Sequence, residues 1–264
     1  MKYRDLVIVR GGGDIASGTI FRLYQAGYKV IVLEARKPTS IRRTVSFSQA
    51  VYDGQVEIEG VKSRLCITPD EIEKAFDKYE IPVVVDPKGN LISTYKPKIL
   101  VDAILAKKNL GTYKNMADIV IGLGPGFTAG EDVDAVIETN RGHNLGRVIY
   151  KGKPEKNTGR PGMIEGFTVE RVIYSPDEGK IKVLKDIRQL VNKGDIIASV
   201  NGKPVVAKIS GVIRGMIQEE TKVFKGMKIG DIDPRGEKAN CSTISDKARA
   251  IGGGVLETIL HLKL

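Results

Sequence analysis

Apolar and polar positions follow two periods along this chain, and the change from one to the other divides it. Leu6 to Val9 is an unbroken apolar run rich in β-branched residues, the pattern of a strand buried on both faces. After the Gly11-Gly12-Gly13 turn, Ile15 to Ala26 places Ile15, Thr19, Phe21, Leu23 and Ala26 on an imperfect helical face that Gly27 stops. Lys29 to Leu33 is a second strand ending at Glu34, which completes a β-α-β unit. Thr44 to Cys66 alternates polar and apolar positions around Asp53-Gly54 and Glu59-Gly60, predicting hairpins. Thr68-Pro69-Asp70-Glu71 is a helix start, and that helix should run to about Tyr79. Pro82 to Val85 predicts a strand, Pro97 to Lys108 a second helix, and Asp118 to Leu123 a further strand entering Gly124-Pro125-Gly126.

Past residue 150 the period shortens. Lys151 to Gly166 is rich in Gly, Pro and Lys and reads as a linker, and Phe167 to Asp233 holds only short strands and turns. Two segments there share the pattern V-x-K-G-x-x-I, Val191 to Ile197 and Val223 to Ile229, 32 residues apart. Such a duplication is a feature of lipoyl- and biotinyl-type barrel-sandwich domains. Ser245 to Leu262 reads as a helix broken at Gly252-Gly253-Gly254, able to pack back on the first domain. The expectation is a Rossmann-like parallel-sheet α/β domain over residues 1–155. A β-rich, barrel-sandwich-like domain with a C-terminal helix is expected over residues 156–264.

Composition narrows the chemistry. The 264 residues are 41% hydrophobic and 28% charged, ordinary for globular domains. No apolar run approaches the roughly 20 residues that cross a bilayer, and the apolar start lacks a cleavage site, so a cytoplasmic location without membrane contact is expected. Two cysteines and two histidines leave little for a disulfide framework or a zinc centre, and no metal is expected. A net charge of +10 favours anionic ligands. The basic residues are scattered and aromatics are few, which argues against nucleic acid.

Four motifs carry candidate chemistry. Gly11, Gly12, Gly13, Asp14, Ile15 and Ala16 form a G-x-G-x-x-A turn between strand and helix, with Glu34 placed to meet a ribose. A phosphate would lie on the helix N-terminus. Gly124, Pro125 and Gly126 follow another strand, with Arg141 and His143 as a cation and an imidazole nearby; a tight structural turn explains the glycines equally well. Cys241, after the charged run Arg235 to Lys238, is the candidate reactive thiol. Lys203 sits where a carrier domain would bear its modified lysine, but its flanks match no such context and a plain turn is favoured.

Four stretches, VRGGGDIASGTIFRL, EARKPTSIRRTVSFSQAVYDG, GLGPGFTAGEDVDAVIETNRGHNLGRVIYKG and CSTISDKARAIGGGVLETIL, resemble the selenium-dependent molybdenum hydroxylase system proteins of the YqeB family. These are relatives of xanthine dehydrogenase accessory proteins. The resemblance implies an accessory protein that binds a nucleotide or molybdopterin-type cofactor and presents it to a molybdenum hydroxylase apo-enzyme. It supplies no catalytic residues. The alternative is an NAD(P)-dependent oxidoreductase, for which no Tyr-x-x-x-Lys proton donor exists. A small anionic ligand is expected in either case, and recognition or homodimerisation falls to the second domain.

Overall fold

Strand β1 (Arg4–Arg10) stands between β2 (Tyr28–Glu34) and β6 (Ile99–Asp102), parallel to both. Its alternation sends Val7 and Val9 to one face and Ile8 to the other, and all three are buried. In this computed structural model, which describes residues 4–157, 159 and 161–263, the strand belongs to a unit made of residues 1–38, 46–157 and 244–264.

The remaining elements of that unit follow in order. They are α1 (Asp14–Gln25), the short α2 (Ala50–Asp53), β3 (Gln55–Ile58), β4 (Val61–Cys66), α3 (Pro69–Asp77) and β5 (Ile81–Val85). After these come α4 (Asn90–Tyr95), β7 (Ile119–Leu123), β8 (Ala135–Ile137), β9 (Val148–Ile149) and, far along the chain, α5 (Asp246–Leu262). The sheet has nine strands in the order β3-β4-β5-β2-β1-β6-β7-β8-β9. From β4 through β8 the strands run parallel, whereas β3 and β9 pair antiparallel at the edges.

The expected Rossmann-like parallel sheet is therefore corrected to a mixed one. The β6–β7 and β7–β8 crossovers also hold no helix among the described residues. Their place is filled from the C-terminus, because Ile251 and Val255 of α5 share a buried cluster with Leu123 and Ile137. The helix expected with the second domain thus groups with the first unit. Gly252-Gly253-Gly254 does not break α5. A Cβ on Gly252 would stand 2.5 Å from the Gly18 carbonyl oxygen, and one on Gly18 would collide with the Ala248 carbonyl, so Gly252 is a contact point with α1.

Two other expectations fare differently. Thr68 caps α3 in a full capping box with Glu71, as its sequence predicts. The helix expected over Pro97 to Lys108 is instead β6, with Ile99 to Asp102 all buried, and the helix is the preceding α4. A three-residue apolar run fits either period, and β-branched Ile99 and Val101 take the strand.

The second unit comprises residues 39–45 and 158–243. Its strands are β10 (Val172–Tyr174), β11 (Gly179–Val183), β12 (Leu190–Val191), β13 (Ile196–Val200), β14 (Lys203–Val206), β15 (Gly211–Met216), β16 (Lys222–Val223) and β17 (Lys228–Asp233). They form two antiparallel sheets, β10-β17-β15-β12 and β14-β13-β11-β16. A step of 32 residues carries the starts of β11, β12 and β13 onto those of β15, β16 and β17. It also carries pairing onto pairing: β11 meets β13 and β16, and β15 meets β17 and β12. Val191, Ile197, Val223 and Ile229, the repeat-related positions, share one buried cluster. Residues 39–45 join this unit through the Met216 N–H, which donates to the Ile41 carbonyl at 2.7 Å.

Candidate functional site

The glycine turn after β1 is built as the pattern requires, but its donors face inward. Gly11 has φ +90°, and its N–H donates to the Leu33 carbonyl. The Gly12 N–H donates to Glu34 Oε2 at 2.8 Å, and the Ala35 N–H donates to Oε1 at 2.7 Å. Glu34 is therefore the turn's own acceptor rather than a ribose ligand. Burial raises its pKa, with the two backbone donors pulling the other way.

The outer side of the turn is covered as well. The Ser48 N–H donates to the Gly12 carbonyl at 2.8 Å, and the Phe47 N–H donates to Ser17 Oγ at 3.1 Å. A Cβ on Gly12 would stand 2.9 Å from the Ser48 nitrogen. The chain's own segment thus lies where a pyrophosphate would approach, and the nucleotide-binding expectation is corrected. Ala16 is buried and Ile15 packs against the core, so both serve packing.

The second glycine turn is likewise structural. A Cβ on Gly124 would collide with Thr139 Oγ1, and one on Gly126 would stand 2.9 Å from the Lys108 backbone. Pro125 lies between them, half-buried. Gly124 is buried, and Gly126 is exposed above the Lys108 backbone.

What the fold does gather is a charged rim at the carboxyl ends of β1 and β8. Asp14 opens α1, and Asp246 and Lys247 open α5, whose N-cap Ser245 accepts from the Ala248 N–H. Arg141 grips Asp246 with both terminal nitrogens, at 2.7 and 3.0 Å. Glu138 is committed to its own loop, accepting from the Asn140 and Glu155 N–H groups at 2.6 and 2.7 Å. Close packing fixes these elements together, since a Cβ on Gly146 would stand 2.8 Å from the Ala250 carbonyl oxygen.

Lys247 is half-buried and makes no ion pair among the described residues. Burial lowers its pKa and so does the Arg141 guanidinium; the Asp14, Glu138 and Asp246 carboxylates oppose that without cancelling it. Of the residues expected from sequence, Asp14 and Arg141 meet here. His143 lies exposed on the same loop, and Lys247 was missed. The signal for Lys247 was the Ser-Asp-Lys start of α5, which sequence alone could not place beside Asp14.

Cys241 belongs to the second unit and is buried, not exposed as its charged neighbours suggested. Burial pushes its thiol up, while Arg214, Arg42 and Arg188 pull it back. In that unit Arg171 and Asp231 form a buried two-point ion pair at 3.1 Å. Lys203 is exposed at the end of an Asn201-Gly202 turn and pairs with Asp177 at 2.9 Å. Among the described residues no group of three or more His, Cys, Asp or Glu could hold a metal, and no helix is long and apolar enough to cross a membrane.

No family model matches the chain. It is 53% identical over 258 residues to the uncharacterized protein YqeB of Escherichia coli, a match covering 98% of this chain and 48% of that protein. The chain spans about half the length of this curated relative. An aspartoacylase family protein from Mesorhizobium loti overlays 88% of the chain with 9% identity and a TM-score of 0.27. A succinylglutamate desuccinylase/aspartoacylase from Rhodobacter sphaeroides overlays 87% with 12% identity and a TM-score of 0.28. Likeness at these scores carries no argument. The mixed sheet and the covered glycine turn carry the correction.

Proposed function

Taking this chain as a homologue of YqeB, matched over half of that protein, we propose that it is an accessory protein in the maturation of a selenium-dependent molybdenum hydroxylase. In this reading it holds a phosphate-bearing, molybdopterin-type cofactor on the α1–α5 rim and presents it to the apo-enzyme. The supporting observation is Lys247, a half-buried ammonium near Arg141 that makes no ion pair among the described residues, where α1 and α5 both begin. An oxyanion there would pair with the Lys247 ammonium, and first-turn helix amides favour it. Glu138 and Asp246 accept from their own donors, so neither forms an ion pair with Lys247.

The cofactor's metal chemistry would be exercised in the hydroxylase. The residues of this chain bind and orient the phosphate. The NAD(P)-dependent alternative loses its ground, because it rested on the glycine turn that Glu34 and Ser48 close.

Deleting the protein should leave hydroxylase polypeptide at normal levels, with low activity and an incomplete cofactor. Normal activity and normal cofactor in the deletion strain would overturn the proposal. On the purified protein, calorimetry should show inorganic phosphate binding, weakened in Lys247→Met. Losing one charge-assisted contact should cost about 1.5–3 kcal/mol.

A further inference from the structure

The sign of exposed charge is sorted along the carboxyl edge of the nine-stranded sheet. In the order β4-β5-β2-β1-β6-β7, the first exposed charged residue past β4 is Asp70, and past β7 it is Glu131. Between these limits the sign is positive. Lys88 follows β5, Arg36 and Lys37 follow β2, and Lys107 and Lys108 follow β6, all exposed. None of the five makes an ion pair among the described residues. The carboxylates of these same strand ends are turned inward. Glu34 accepts from the Gly12 and Ala35 N–H groups, and Asp86 from the Gly89 and Leu91 N–H groups at 3.1 and 2.8 Å. Asp102 accepts from the Ile104 N–H at 3.2 Å and from Arg10 at 3.3 Å. The sheet also fixes the loops that carry the cations. The Asp86 N–H donates to the Glu34 carbonyl at 3.1 Å and the Ala103 N–H to the Arg10 carbonyl at 2.8 Å, while a Cβ on Gly126 would stand 2.9 Å from the Lys108 backbone. With neighbouring strands about 4.8 Å apart, the step from β5 to β6 covers about 14 Å.

We propose that this cationic face, from Lys88 across Arg36 and Lys37 to Lys107 and Lys108, is a docking surface for a protein that presents a cluster of carboxylates. Unpaired charges of one sign over this width attract the opposite sign and steer its approach. Four of the five are lysines, whose compact ammoniums pair with single carboxylates, whereas bidentate phosphate recognition favours arginine. The loop past β6 adds an exposed Leu110 as an apolar contact. Its one ring, Tyr113, falls short of the stacking platform that single-stranded nucleic acid uses. Neither the Lys247 site nor any hydroxylase is needed for this docking.

The test uses the full-length protein and two probes, poly-L-glutamate and a single-stranded oligodeoxythymidine, titrated at low salt. The combined variant Lys88→Gln, Lys107→Gln, Lys108→Gln should bind poly-glutamate about tenfold more weakly than the wild type. A control with Lys182→Gln, Lys193→Gln and Lys225→Gln removes the same charge from exposed lysines of the second unit. It should lose less than about threefold. Arg36→Gln with Lys37→Gln, on a separate loop of the face, should weaken binding as the first variant does. All three variants should melt like the wild type, and the gaps should close in about 1 M salt, where screening acts over roughly 3 Å. Equal losses in the first variant and the control, or no binding of poly-glutamate by the wild type, overturn the proposal. Tighter binding of the oligonucleotide than of poly-glutamate, lost with the same lysines, overturns it in favour of nucleic acid.

Discussion

Glu34 holds two backbone donors from a half-buried position, and its protonation state is tied to folding. Its folded pKa lies above the ordinary value, first because of burial. A carboxyl raised in this way stabilises the fold below its ordinary pKa, and that contribution is lost as pH rises through the folded value. Wild type should therefore lose ground to Glu34→Gln between acidic and neutral pH, as read by urea denaturation at several pH values. A constant or opposite gap would refute this. Glu34→Ala leaves the Gly12 and Ala35 N–H groups without their acceptor, at a cost of about 1–3 kcal/mol. The thiols can be ordered on similar grounds. Cys66 is pushed up to about 11 by burial and by the Glu71 carboxylate, whereas Cys241 has three guanidiniums opposing its burial. Timed alkylation of the native protein should be slow at both and faster at Cys241. At this scale the sequence marks the right residues for the wrong reason. Glu34 stands at the tip of its strand, yet only the structure shows that its carboxylate turns back on Gly12.

The pairing of α1 with α5 depends on small residues that the sequence presents as a flaw. A run of three glycines lowers helix propensity, so the pattern reads as a break. Three-dimensional packing reverses that, because Gly18 and Gly252 are points where the backbones of α1 and α5 meet, and Gly254 is where α5 meets Gly146 of the loop after β8. Gly253 differs, since a Cβ there would reach only the end of Arg22, 4.0 Å away. Gly253→Ala should stabilise the protein by about 0.5–1 kcal/mol, the usual gain from replacing a mid-helix glycine. Gly252→Ala should instead destabilise it by about 1–3 kcal/mol through overpacking. Thermal melts of the two variants decide this, and shifts of the same sign would refute the packing role. The β1–α1–β2 unit and α3 were legible because turn, cap and period agree locally. The β6 strand was not, because three apolar residues carry no period. The α1–α5 rim was not, because Asp14 and Lys247 lie 233 positions apart and meet only through packing.

Over the whole molecule the main division falls where the composition changes, between residues 157 and 158, but two short segments cross it. Residues 39–45 belong with the second unit and 244–264 with the first, a partition that no contiguous reading of the sequence can give. The duplication within the second unit was legible, because V-x-K-G-x-x-I places a buried Val, an αL glycine and a buried Ile at fixed offsets. Gly194 and Gly226 do take φ +97° and +81°. If the repeats are energetically as well as geometrically equivalent, matched substitutions should cost matched amounts. Ile197 in β13 and Ile229 in β17 are both fully buried in the same cluster, although they lie in different sheets. Ile197→Ala and Ile229→Ala should each cost about 2–5 kcal/mol and differ from one another by much less. Ile196, one residue earlier and 52% exposed, supplies the control. Ile196→Ala should change stability by about 0.5 kcal/mol or less. Denaturant melts of the three variants would settle the matter. A large gap between Ile197→Ala and Ile229→Ala would mean that the two halves share a backbone pattern while bearing unequal shares of the core.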